Sequence, residues 1–410
     1  MSTLESSVPS SGTARTGRST RSGLPLLALA LGGFGIGTTE FVAMGLLPDI
    51  AGDLGVSEPT AGHVIAAYAA GVVVGAPLIA TVFARVPRRI LLIALMVAFT
   101  VGNGLSAVAP SYPLLMAARF LAGLPHGAYF GVAALVAAHL VGPDGRGRAV
   151  GRVMLGLSVA NVVGVPIATW IGDDLGWRWA LALVVVIGIA TVAAIAAWLP
   201  HVDVPASNPV AELGALRNPQ VWFALGTGVV GFGGMFAVYT YLSTTLTTVT
   251  GLSQATVPLA LAVYGVGMVA GNTAGGVAAD RSVSRTLVAG LVAIALVMLA
   301  FAGLVHIAAA AFVVVFLVGF TGAGMLPALQ TRLMDVAGEA QTLAATMNHS
   351  ALNIANALGA LLGGAVIEAG WGYPATGLVG AVLAVGGLVV VGVGFATARP
   401  RTARPPRART

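Results

Sequence analysis

The chain has 410 residues, of which 57% are hydrophobic and only 8% charged. A soluble domain carries roughly 25% charged residues, so no water-soluble surface can be built from this sequence and lipid must be the missing solvent. All 20 basic residues are arginine and cysteine is absent, which excludes P-loop phosphate chemistry, Schiff-base catalysis, disulfides and thiolate metal ligation.

A span needs about 20 apolar residues to cross the hydrocarbon core, or ~34 with a short loop, which leaves room for about twelve spans. Residues 1–22, rich in Ser, Thr and Arg, read as a disordered tail. The apolar run that follows is too long for a signal-peptide core and lacks a small-residue cleavage site, so it reads as an uncleaved first span. Periodicity and turn residues predict helices over 24–47, 60–84, 90–109, 113–140, 149–171, 178–199, 220–249, 256–279, 286–305, 308–334, 342–368 and 374–397. The polar segment 200–219 is the only long internal loop. It divides the spans into a bundle at 23–199 and a bundle at 220–398, followed by a basic tail at 399–410.

The arginines test this layout. With the N-terminus in the cytoplasm, eighteen of the twenty fall on the cytoplasmic side; only Arg178 lies outside and only Arg119 lies within a span. That is the positive-inside pattern, and it places both termini in the cytoplasm. The net charge of +6 is therefore a mark of topology and not of nucleic-acid binding.

The halves are copies. A shift of 196 residues lays GVSEPTAGHVIAAYAAGVVVG (55–75) on GLSQATVPLALAVYGVGMVAG (251–271), matching Gly55, Tyr68, Gly71 and Gly75 to Gly251, Tyr264, Gly267 and Gly271. Close to the same shift, Ala160-Asn161-x-x-Gly164 meets Ala355-Asn356-x-x-Gly359. Two equivalent bundles imply a pseudo-two-fold axis along the membrane normal, with substrate bound between them near the midplane.

Two ionisable side chains stand deep inside predicted spans, Glu40 and Arg119. Each lies about seven residues from the outer end of its helix, hence ~10 Å below the outer surface. An adjacent arginine favours the ionised carboxylate and burial favours the protonated one. Either these opposed effects poise a titration, or the two residues form a static ion pair that orders the bundle. Under the 196-residue shift they correspond to Phe236 and Val315, so the fold itself does not require them. His126, seven residues after Arg119, shares its face; it either relays protons, bonds substrate, or is satisfied by a neighbouring helix. Pro125 beside it predicts a kink.

Gly156, Ala160, Gly164, Ala168 and Gly172 place a small residue every fourth position in the fifth span, a stripe against which another backbone can pack. Pro166 adds a bend. In the eleventh span His349, Asn353 and Asn356 share one polar face, and Asn161 is the repeat partner of Asn356. They suit either hydrogen bonds to a ligand in an apolar pocket or bonds between helices. Phe236, Tyr239 and Tyr241 offer aromatic surface on the seventh span, or packing. The loop Ala84-Arg85-Val86-Pro87-Arg88-Arg89 and its copy with Gly276, Asp280, Arg281 and Arg285 set topology, gate the pathway, or both.

Asp280-Arg281, RFLAGLPHGAYFG (119–131) and GTTEFVAMGLLPDIAGDLGVS (37–57) together resemble the major facilitator superfamily, and within it the twelve-span drug:proton antiporters of the sugar-efflux and chloramphenicol-efflux type. The resemblance runs from about residue 24 to 397. It implies an all-α fold of two pseudo-symmetric six-helix bundles. It further implies that the acid of the first span and the arginine of the fourth, here Glu40 and Arg119, take part in proton coupling. The small-residue stripe resembles that family's antiporter motif, departing from it where Val165 intervenes between Gly164 and Pro166 and where Thr169 replaces a paired glycine. The inner loop resembles the superfamily's gating signature, with Ala84 where an Asp is usual.

The leading expectation is a monomeric, proton-driven exporter of a small amphipathic drug or metabolite in the cytoplasmic membrane. It uses no metal and no cofactor beyond the proton gradient. The alternative is proton-coupled uptake or facilitated diffusion of a sugar or other small metabolite. A membrane enzyme finds no support: there is no His-Glu-x-x-His, no Gly-x-Ser-x-Gly and no pair of acids within a span.

Overall fold

A computed structural model describes residues 23–83, 85–141, 146–201, 214–337 and 341–398. The segment 1–22, Ala84, residues 202–213 of the long internal loop and the segment 399–410 lie outside the described residues. Twelve helices are long and apolar enough to cross a membrane. They are α1 (Gly23–Gly45), α2 (Glu58–Val82), α3 (Arg88–Ala107), α4 (Tyr112–Val141), α5 (Gly151–Leu175), α6 (Trp177–Trp198), α7 (Pro219–Thr240), α8 (Val257–Arg281), α9 (Val283–Leu304), α10 (Ala308–Ala337), α11 (Gln341–Glu368) and α12 (Ala375–Thr397). Outward faces are apolar, with Leu296 and Val382 well exposed. Such a surface is stable only against lipid.

The helix starts use hydroxyl and amide caps with an early proline. Ser57 accepts from the Thr60 N–H at 3.3 Å ahead of Pro59, and Asn218 accepts from the Gln220 N–H at 3.0 Å ahead of Pro219. Three local departures from the expected spans have physical causes. Pro125 lacks an N–H, and α4 breaks between Gly123 and His126, as its proline predicted. The seventh span was expected to run to residue 249 but its helix ends at Thr240 and the chain continues as a π-helical turn over Thr245–Val249. The cause is the hydroxyl-rich run after Tyr241, where Thr245 and Thr248 donate back to the carbonyls of Tyr241 and Thr244 at 2.7 and 2.6 Å. A short helix, Leu47–Leu54, follows α1 and closes on Gly55 in a left-handed conformation (φ 63°).

Glycine contacts make the duplication visible in three dimensions. A Cβ at Gly71 would strike the Phe120 carbonyl, and one at Gly267 the Phe316 carbonyl. Gly75 faces the Leu124 carbonyl as Gly271 faces that of Phe320, and Gly123 faces that of Tyr68 as Gly319 faces that of Tyr264. All six partners obey the 196-residue shift, so α2 lies on α4 as α8 lies on α10. Backbones approach this closely only where no side chain intervenes.

The stripe on α5 packs against α1. Gly156 lies on the Ala30 carbonyl, Gly164 on Thr38 and Phe34, and Gly172 on the Leu46 side chain, while Ala160 meets Gly37. Within the stripe the helix widens into a π turn over Ala160–Gly164, just before Pro166. Wide turns of this kind recur at functional sites.

Arg178, the one arginine expected on the face opposite the others, ties three loops there. Its guanidinium pairs with Asp53, donates to the Ala109 carbonyl at 3.0 Å and stacks over Trp177 at 4.3 Å. Trp177 Nε1 also donates to Asp53 at 3.2 Å. The Arg178 bond holds the Asp53 carboxyl below the usual carboxylate range.

Two predictions follow from this packing. Gly71→Ala and Gly267→Ala should each destabilise by about 1–3 kcal/mol, as overpacking does, lowering the thermal unfolding temperature in detergent. Gly392→Ala, with open space around it, should leave it unchanged or raised. A carboxylate whose pKa is depressed on folding stabilises the protein above its unfolded value of about 4, and that stabilisation is lost as pH falls through the lower folded value. Arg178→Gln should therefore lower stability near neutral pH by at most about 1 kcal/mol, the pair being half exposed, and narrow the difference from the unsubstituted protein in acid.

Candidate functional site

A cavity of about 330 Å³ lies between α1–α6 and α7–α12. Its walls are Glu40 and Phe41 of α1, His126 of α4, Met154 and Ser158 of α5, Phe236 and Met235 of α7, Met268 and Asn272 of α8, Gln330 of α10, and Asn348, His349 and Asn353 of α11. Gly151 and Asn272, exposed lining residues near the arginine-rich ends of α5 and α8, mark its open side. Toward the opposite face the halves close on each other. Gly62 and Gly364 both lie against the Tyr241 hydroxyl, Gly364 also meets Pro59, and Gly265 lies on the backbone of Asn161. Tyr241 is fully buried and donates to the Ala360 carbonyl at 2.8 Å; it belongs to this closure and not to the cavity wall.

Arg119 and Glu40 come to the same depth, but they do not form the static ion pair that was one reading of the sequence. The single salt bridge among the described residues is Arg178–Asp53. Arg119 instead donates to Thr39 Oγ1 at 3.0 Å and to the Thr39 carbonyl at 3.1 Å, and lies over the Tyr68 ring at 4.5 Å. Thr39 Oγ1 in turn donates a hydrogen bond to Asn103 Oδ1, and Asn103 Nδ2 donates to the Phe99 carbonyl at 2.9 Å. One guanidinium thus joins α4 to α1, α2 and α3. Its anchor is the residue beside Glu40, whose carboxylate faces the cavity with 7% of the residue exposed.

His126 begins the second segment of α4, where the break at Pro125 turns it inward. Its Nδ1 and the Tyr68 hydroxyl share a hydrogen bond of 3.0 Å. Across the seam His349 of α11 lies with its ring 5.8 Å from that of His126 and stacked on Phe130 at 4.8 Å, 3° from parallel. Arg119, Tyr68, His126 and His349 therefore form a continuous run of contacts from one half to the other, with the two histidines on the cavity wall and Arg119 and Tyr68 buried behind it. No group of three or more His, Asp or Glu side chains able to hold a metal occurs among the described residues.

The remaining candidates separate into those on the wall and those behind it. Phe236, His349 and Asn353 line the cavity; Asn161, Asn356 and Tyr239 do not. Asn353 Nδ2 donates to the His349 carbonyl at 3.0 Å and Asn161 Nδ2 to the Leu157 carbonyl at 3.0 Å, leaving Oδ1 of each without a partner among the described residues. Neither amide atom of the buried Asn356 has a partner there. Tyr239 packs edge-on against Phe41 at 5.5 Å and against Tyr264 at 4.2 Å. Phe41 and Phe236 lie 6.4 Å apart and nearly parallel, one from each half.

The loop residues expected to gate the pathway sit at the arginine-rich face. Arg85, Asp280, Arg281 and Arg285 are exposed and Arg88 is buried. Arg89 bonds to the Ala196 carbonyl and, at 3.2 Å, to His201 Nδ1, both at the end of α6 in its own half. Ala84 is outside the described residues.

Sequence reasoning missed Thr39, Tyr68 and the amides Asn272, Gln330 and Asn348. Asn348 had a signal, since it precedes His349 on the polar stretch of α11. Thr39 had none, because a threonine in an apolar helix usually bonds its own backbone. The methionines of the wall, Met154, Met235 and Met268, were hidden among ordinary core residues.

A profile of the Major Facilitator Superfamily matches residues 29–255 and 227–410. The chain is similar to the inner membrane transport protein YdhP of Escherichia coli strain K12, with 45% identity over 368 residues covering 90% of this chain and 95% of that protein. It is also similar to a chloramphenicol resistance protein of Streptomyces lividans (35% identity, 90% and 94% coverage) and to an uncharacterized MFS-type transporter, YtbD, of Bacillus subtilis (33% identity, 91% and 96% coverage). The profile runs from residue 29 to the last residue and so takes in both bundles. The chain belongs to the Major Facilitator Superfamily and is a multi-pass membrane transporter.

Proposed function

We propose that this transporter is a proton-coupled exporter of a small amphipathic molecule, working by alternating access between the bundles 23–199 and 220–398. The observation that carries this reading is the position of Glu40. It is the one carboxylate on the cavity wall, and the arginine that could have neutralised it is held by Thr39 instead. On this reading the arginine-rich face is cytoplasmic, both termini lie there, and one chain suffices for function.

In the state described, the cavity takes substrate from the cytoplasmic side against Phe41, Phe236 and the methionine side chains, whose flexible thioethers fit varied apolar shapes. Amides of Asn272, Asn348 and Asn353 orient it. When the opposite face opens, Glu40 is reached by protons from outside; when the cavity returns, it releases them inside. Substrate and proton must favour different states for this exchange to be coupled, by a few kcal/mol in total. The name of the Streptomyces lividans relative, a chloramphenicol resistance protein, supports a drug-type substrate and outward transport.

Everted vesicles with a preset pH gradient test the reading. Addition of substrates from a panel that includes chloramphenicol should dissipate the gradient, and Glu40→Gln should reduce that response by at least about tenfold while the protein still inserts and binds. Substrate-induced dissipation that survives Glu40→Gln would remove the coupling role. Transport with no proton movement would favour facilitated diffusion.

A further inference from the structure

At the face opposite the arginines, the two halves are joined by side chains at the start of α2 and just ahead of α8. Glu58 receives hydrogen bonds on both carboxylate oxygens from the other half. Thr244 Oγ1 donates to Oε1, and the Tyr373 hydroxyl donates to Oε2 at 2.9 Å. Under the 196-residue shift the counterpart of Glu58 is Gln254. Its amide donates to Asp173 Oδ1 of the first half at 3.1 Å. The flanking caps repeat too, with Ser57 on Thr60 at 2.8 Å and Ser253 on Thr256 at 2.9 Å. Gene duplication thus placed a seam-bridging side chain at equivalent positions, and one copy is an acid where the other is an amide.

Both ties have the same one-sided chemistry. The first half supplies the carboxylate and the second supplies a neutral donor; no ion pair crosses the seam among the described residues. A hydrogen bond to an ionised acceptor is roughly twice as strong as one between neutral groups. Protonation removes the charge that strengthens both bonds and leaves one Glu58 oxygen as a hydroxyl, so the tie weakens. Burial and the Glu58 carboxylate hold the Tyr373 hydroxyl far above its usual range, so it stays a donor at any physiological pH. Around Glu58 stand Tyr241 and Glu368 from the second half, which act on one another electrostatically as Glu58 acts on Tyr241. From its own half come the exposed His63 five residues along α2, Asp53 engaged by Arg178, and Asp49, which interacts with Asp173. No basic side chain pairs with Glu58 among the described residues, so its ionised form is held by the Thr244 and Tyr373 hydroxyls.

We infer that Glu58 is a second proton-binding site, separate from Glu40, whose protonation releases the seam at this face; the Asp173–Gln254 contact is a weaker tie of the same kind. The inference rests on the exporter reading only in naming this face the outer one. A carboxylate also suits any helix N-terminus, but an acid serving only that purpose would not make the seam respond to pH.

The absence of cysteine allows spin labels on Gly52→Cys and Trp371→Cys, exposed positions on the two rims, with distances measured in lipid nanodiscs between about pH 8 and about pH 5. Acid should increase the long-distance population, and should still do so in a Glu40→Gln background, where the cavity carboxylate no longer titrates. Adding Glu58→Gln should raise that population roughly tenfold at the alkaline end, as expected for loss of a charge-assisted bond, and flatten the pH response. Tyr373→Phe, which removes one donor, should fall between. A response that vanishes with Glu40→Gln alone, or that survives Glu58→Gln undiminished, overturns the inference. The exporter reading is judged separately, by the vesicle assay.

Discussion

A guanidinium buried in a membrane bundle has no water to satisfy it, and removing the partner of a buried charge typically costs about 3–5 kcal/mol. Arg119 meets that constraint through neutral groups at its two terminal nitrogens and over its face, the Thr39 hydroxyl and carbonyl and the ring of Tyr68, while Nε has no partner among the described residues. Because these lie on α1 and α2, and Thr39 is itself tied to Asn103 on α3, the placement of four helices depends on one side chain. The same arrangement leaves Glu40 at the cavity wall, close to positive charge and not consumed by it. On the proposed reading, that carboxylate exchanges a proton with whichever side the cavity faces.

The second half shows what the fold does without that charge. At the positions equivalent to Glu40, Arg119, Thr39 and His126 stand Phe236, Val315, Met235 and Gly322, and Met235 packs directly on Gly322. Glycine contacts between α8 and α10 reproduce those between α2 and α4, so the scaffold was copied while the Glu40, Arg119, Thr39 and His126 group stands in the first copy alone. Both halves of the cavity wall mix polar and apolar groups: Glu40 and His126 with Phe41 and Met154 in the first, His349 and the amides with Phe236, Met235 and Met268 in the second.

The spans, the arginine asymmetry and the glycine repeat were legible because each is a property of one helix or of its register against its copy. Period and length decide them. The stripe of Gly156, Ala160, Gly164, Ala168 and Gly172 could likewise be read as a packing face, though its partner, α1, could not. What escaped the sequence depends on how helices rotate against each other. Arg119 could have paired with Glu40 and is held instead by its neighbour Thr39; Asn161 and Asn356 suited either a ligand or bonds between helices, and they stand behind the cavity wall. The break after Thr240 arose from threonine hydroxyls returning to their own backbone, a competition that hydropathy does not register.

The account turns on substrate and proton competing through Glu40. Isothermal titration of the purified protein with chloramphenicol as probe, in two buffers of different ionisation heat, counts protons exchanged on binding. Release of a proton on binding in the unsubstituted protein, absent in Glu40→Gln, is the predicted result. Binding without proton exchange, or the same exchange in Glu40→Gln, would contradict it.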